Sequence, residues 1–158
     1  MTGLLLTPWP LATLITAPIA GSLVSRIHPG ILGSIGMVIF GIGLYSLSGL
    51  NADSTVTGII WRLALCGAGF GLFQTPNNST IISSAPTQRS GGASGMMGMA
   101  RLTGQTFGTT LVALLFSWIV SGKSTEVCLI TGSVFALAAA IISSLRLSEN
   151  SVLSHKKA

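Results

Sequence analysis

Four side chains in this sequence are suited to holding a solute: the carboxamides of Gln74, Asn77 and Asn78 and the guanidinium of Arg101. Amides both donate and accept hydrogen bonds, and a guanidinium adds five donors and a permanent positive charge. Arg101 lies in GMMGMARLTGQTFG at 95–108, within a stretch from Gly91 to Gly122 that carries no other charge. Four residues further on, at same-face helical spacing, stands Gln105, with Gly104 and Gly108 forming a small-residue seam beside it. Catalysis has less to work with. The G-x-S-G at 92–95 has the pattern found around an intramembrane protease serine, but a nucleophile needs a base within hydrogen-bond reach. The two histidines, His28 and His155, fall in a loop and in the tail. Cys66 and Cys128 sit in apolar runs without metal-ligand spacing and read as small buried side chains. No catalytic residue, metal or cofactor is expected.

The elements that position these residues follow from composition. Charged residues make up 7% of the 158-residue chain, against about 25% in a soluble domain, which is too little charge to cover a water-facing surface. With 49% hydrophobic residues and 20 glycines, the chain reads as a membrane protein, because membrane helices use small residues for close backbone approach. The lipid bilayer is therefore an expected partner. A net charge of +5 would attract nucleic acid only if gathered into a basic stripe; here the basic residues are scattered, and nucleic acid is not an expected partner.

Five apolar runs, Gly3–Ser25, Ile31–Leu50, Gly58–Ser84, Gly92–Val120 and Val127–Leu147, each approach the ~20 residues needed to cross ~30 Å of hydrocarbon. Turn and charge signals separate them. The fold class expected is all-α, a polytopic membrane helix bundle, with 1–147 as a transmembrane domain and 148–158 as a cytoplasmic tail. Strands are disfavoured, since a barrel would show ~10-residue alternating segments. Alternate loops sort the basic residues: Arg26, Arg89, Arg146, Lys156 and Lys157 lie on one side, and Lys123 on the other, beside Asp53 and Glu126. Short cytoplasmic loops hold the excess of Lys and Arg, so the N-terminus is expected outside and the C-terminus inside. An outside N-terminus without a leader suits a piece of a longer chain.

Depth decides what Arg101 needs. About nine residues into its run it reaches roughly 14 Å, near the middle of the hydrocarbon, where facing lipid would cost about 2.5 to 3.5 kcal/mol. It is expected to face a polar cavity or another helix; the competing reading is a side chain that snorkels to the headgroups. The preceding run holds Gly67, Gly69 and Gly71. At alternate positions they cannot share one helical face, so they make a thin region open to close packing. Pro76 then removes a backbone donor, and Gln74, Asn77 and Asn78 are placed to satisfy the freed carbonyl, to hold helices together, or to meet a solute at a helix break. Arg62, about one turn from the outer end of its run, is expected to reach toward headgroups or Asp53. The Asn-x-Ser and Asn-x-Thr matches at Asn77 and Asn78 fall inside a span and read as chance.

With these residues in view, the chain resembles the C-terminal end of a drug:proton antiporter in the fourteen-helix branch of the major facilitator superfamily. The run RLALCGAGFGLFQTPNN at 62–78 is similar to that branch's R-x-x-x-x-G-x-G-x-G-x-F-Q-x-P-N-N. SGGASG at 90–95 leading to Arg101, Gly104 and Gln105 resembles the helix that follows it. GLLLTPWP at 3–10 is a third match, followed by Pro18, Gly21, Leu23, Ser25 and Arg26, which resemble the superfamily's cytoplasmic loop motif P-x-x-G-x-L-x-D-R. Serine stands at 25 where the family usually has aspartate, and a serine can cap a helix but carries no charge. The resemblance implies the last five transmembrane helices of a major-facilitator C-terminal half, in a bacterial inner membrane. It also implies a multidrug efflux proton antiporter exporting cationic or amphipathic compounds. Its partners would be the remaining helices of the parent, small-molecule substrates and protons. Asp53, Glu126 and Glu149 are expected in loops or tail, so this piece has no evident intramembrane proton carrier and is expected not to transport alone. The alternative from another class is a small self-standing scaffold or regulator that assembles through its glycine seams.

Overall fold

The computed structural model describes residues 7–50, 54–119 and 123–155. Among the described residues there are five α-helices and no strand: α1 (Pro8–Val24), α2 (Pro29–Ser48), α3 (Val56–Ser83), α4 (Ser90–Trp118) and α5 (Ser124–His155), with a short 3-10 turn at Thr87–Arg89 before α4. The all-α bundle expected from composition is the fold observed. Pro29 opens α2, where its missing N–H is no loss, and the His28 Nδ1 accepts from the Gly30 N–H at 3.3 Å to cap it. Ser124 opens α5 with its hydroxyl donating to the Ile119 carbonyl at 2.6 Å.

By length and composition three helical segments can cross a membrane: Pro29–Ser48, Val56–Ser83 and Ser124–Ser144. The other two of the five expected spans are weaker on this measure. α1 is an apolar helix of 17 residues; the expected start of its run at Gly3 lies outside the described residues. α4 has 29 residues, ample to cross, but glycines, threonines, Arg101 and Gln105 dilute its apolar character. α5 runs on without interruption past the expected domain boundary at 147.

Packing is built on glycine. In lipid no hydrophobic effect draws helices together, so association depends on close van der Waals contact and interhelical hydrogen bonds. α2 and α3 cross where Gly36 meets Gly69: a Cβ on Gly69 would lie 2.5 Å from the Phe40 nitrogen and 2.7 Å from the Gly36 oxygen. Gly67 and Gly71, one turn apart, face α1 instead; a Cβ on either would run into the Trp9 carbonyl or the Thr16 hydroxyl. The alternate spacing thus serves two neighbours from one thin helix. Thr13 donates across to the Gly67 carbonyl at 3.1 Å, and the buried Ser133 hydroxyl joins α5 to α2 at the Gly41 carbonyl, 2.9 Å away. Trp9, Phe40 and Phe70 close the meeting point of α1, α2 and α3 with ring centroids 5.7 to 6.1 Å apart, an edge and tilted geometry favourable to aromatic quadrupoles.

α4 stands apart from this core. It has no buried residue, and a Cβ placed on Gly91, Gly92, Gly95, Gly98, Gly104 or Gly108 would meet nothing within 4 Å.

Candidate functional site

Between α3 and α4 lies a cleft of about 270 Å³. α3 supplies Phe70, Phe73, Gln74, Asn77, Asn78 and Ile81, and α4 supplies Met97, Ala100 and Arg101. Four of the five substrate-path candidates, Gln74, Asn77, Asn78 and Arg101, therefore line one cleft, three from α3 and one from α4. On α3 the reason is helical spacing: Phe70, Phe73, Gln74, Asn77, Asn78 and Ile81 recur every three or four residues and so fall on a single stripe. Phe70 belongs at once to the cleft and to the aromatic cluster with Trp9 and Phe40, which ties the cleft floor to the packed core.

The fifth candidate is placed elsewhere. Gln105 is exposed and is absent from the lining of this cleft. α4 presents Met97, Ala100 and Arg101 to α3, then turns its next residues, Gly104, Phe107, Gly108 and Leu111, to α5. There they line a second, apolar groove of about 290 Å³ with Cys128, Thr131, Gly132 and Phe135. The Gly104 and Gly108 seam thus borders open space, with no close neighbour among the described residues.

Arg101 is exposed and lies inside a continuous helix that starts at Ser90, about three turns and 16 Å along the axis. Pro76 does not break α3. The helix continues from Val56 to Ser83 with Pro76 fully buried, and the Thr80 hydroxyl donates to the Pro76 carbonyl at 2.8 Å. The expected helix break is therefore a continuous turn, and Gln74, Asn77 and Asn78 remain half-buried on its surface.

The loop motif is only loosely engaged. Pro18 is exposed inside α1, a Cβ on Gly21 would meet the Thr75 methyl at 3.9 Å, and Ser25 and Arg26 are exposed at the helix end. The Ser25 hydroxyl donates to the Ser22 carbonyl at 2.7 Å, a local bond that leaves no charge to offer across a gate.

Arg62 packs against its sequence neighbour Trp61. Its Nε and Nη1 are buried without a hydrogen-bond partner among the described residues, and its guanidinium carbon sits 5.5 Å from the Trp61 ring centroid. The ring face supplies an electrostatic partner that charge counting along the sequence did not find. Asp53, the other expected partner, lies outside the described residues.

Comparison with known proteins agrees with this architecture. No family model matches the chain, and no solved structure matches it. The chain is 54% identical over 148 residues to the "Uncharacterized transporter YebQ" of Escherichia coli, covering 94% of this chain and 32% of that protein. It is 32% identical over 120 residues to the multidrug resistance protein Stp of Mycobacterium tuberculosis, covering 75% of this chain and 22% of Stp. It is 31% identical over 117 residues to the riboflavin transporter RibZ of Clostridioides difficile, covering 74% of this chain and 26% of RibZ. The chain spans about a third or less of the length of these relatives. Apolar helices packed through glycine, together with these relatives, identify an integral membrane protein homologous to transporters and multidrug efflux proteins, in keeping with a portion of a major facilitator superfamily transporter.

Proposed function

We propose that the chain is the C-terminal membrane portion of a multidrug efflux transporter, and that the cleft between α3 and α4 forms part of the path its amphipathic cargo takes. The observation that carries this reading is the gathering of Gln74, Asn77 and Asn78 of α3 and Arg101 of α4 around one cleft with Phe70 and Phe73. Polar groups at membrane depth are costly unless they line a cavity or meet a partner, and a few polar groups among apolar ones are the ordinary make-up of a small-molecule site. Coupling to protons in such a transporter requires a group that titrates within the membrane. The three acids here are Asp53, Glu126 and Glu149; Glu126 falls in the first turn of α5, so the coupling carboxylates would come from other helices of the parent. The N-terminus would lie outside and the C-terminus in the cytoplasm.

The open Gly104 and Gly108 face favours a second reading, self-assembly of this chain through that seam into a scaffold. One experiment separates them. The chain is expressed alone and within the full reading frame that carries it, in a host stripped of efflux pumps, and dye retention is followed. Efflux is expected only from the longer protein, and Arg101→Ala in it should reduce efflux at an unchanged level in the membrane. Full transport by that variant would overturn the role of Arg101. A single stable oligomer of the chain alone, with no efflux from either form, would favour the scaffold.

A further inference from the structure

We infer that the cleft between α3 and α4 takes flat aromatic ligands bearing a carboxylate or similar anionic acceptor, and discriminates against the same scaffold bearing a fixed cation. This rests on the reading of the cleft as part of a ligand path. Its surface divides by chemistry. Phe70, Phe73 and Met97 supply ring faces and a polarizable thioether, against which an aromatic ligand packs well. Phe70 packs against both Trp9 and Phe40, each ring centroid 6.1 Å away, so the platform is fixed before a ligand arrives.

The carboxamides of Gln74, Asn77 and Asn78 both donate and accept, and so serve a ligand of either sign. Charge is decided by Arg101, the one ionised group among the described residues that line the cleft. A ligand anion there meets a planar fork able to bind both its oxygens. A ligand cation enters beside a like charge, with no carboxylate among the described lining residues to offset it.

The test uses the 158-residue chain in nanodiscs of zwitterionic phosphatidylcholine, with Trp61→Phe and Trp118→Phe so that Trp9, beside Phe70, is the sole tryptophan donor. Three probes share one ring system: pyrenebutyrate, pyrenebutanol and pyrenebutyltrimethylammonium. Saturable energy transfer from Trp9 is expected, with the carboxylate at least about tenfold tighter than the ammonium. Arg101→Gln should bring that ratio to within about twofold, and Arg101→Lys, which keeps the charge and loses the fork, should preserve its direction. Binding of the ammonium as tight as the carboxylate, or a ratio that Arg101→Gln leaves unchanged, overturns the charge selection while leaving the cleft a ligand site. Absence of saturable transfer from all three probes overturns the ligand-site reading, and this inference with it.

Discussion

At the scale of single residues, glycine carries the fold, and its effect depends on what stands opposite. A Cβ at Gly69 would press on the backbone of α2 at 2.5 and 2.7 Å, and backbone cannot move aside as the end of a flexible side chain can. Gly69→Ala should therefore cost about 1–3 kcal/mol. Gly108→Ala, with nothing within 4 Å, should change stability by no more than about 0.5 kcal/mol. Denaturant titration of helical content in mixed micelles measures both, and equal losses would contradict the packing described. Ser133→Ala removes the buried bond to the Gly41 carbonyl and should cost about 0.6 kcal/mol. The close packing of Gly67, Gly69 and Gly71 was legible in their spacing. Their partners were not, because Gly36 and Trp9 lie on other helices, and nothing in the local pattern names them. Gly104 and Gly108 show the same limit from the other side: an equally regular seam, yet open.

At the scale of elements, α4 is the least secured helix. It has no buried residue and divides one stripe between two grooves. Amide protection follows local packing and opening, so hydrogen exchange of the chain alone should be at least about tenfold faster along α4 than along α2 and α3; equal protection would contradict the detached position. The joining of Gln74, Asn77 and Asn78 with Arg101 was only half legible. Helical spacing puts the three amides on one stripe, but which stretch of α4 faces them depends on how that helix crosses, and the crossing placed Gln105 away from the cleft. Pro76 misled as a break signal because a single missing donor at a buried position of a long helix is tolerated when neighbouring helices and hydroxyls cover the region.

At the scale of the whole molecule, composition alone disclosed a helical membrane protein, since so little charge leaves few other folds open. Orientation rests on the sorting of basic residues and is testable by cysteine labelling with Cys66 and Cys128 replaced. Ser124 is a poor label site because it is buried and bonded to Ile119; exposed Thr125 and Gln88 serve better. Thr125→Cys should react from outside and Gln88→Cys should not, and the reverse pattern would invert the topology. The central claim is that the polar wall of the α3–α4 cleft meets water or ligand at membrane depth, and a membrane-impermeant thiol reagent tests it most directly. On the chain in lipid nanodiscs, open to water on both sides, Asn77→Cys and Arg101→Cys should react readily, while Ile142→Cys, on an apolar face 68% exposed in the isolated molecule, should be shielded by lipid. If the cleft cysteines prove as unreactive as the one at 142, these residues face hydrocarbon or packed protein and the account of the site is wrong.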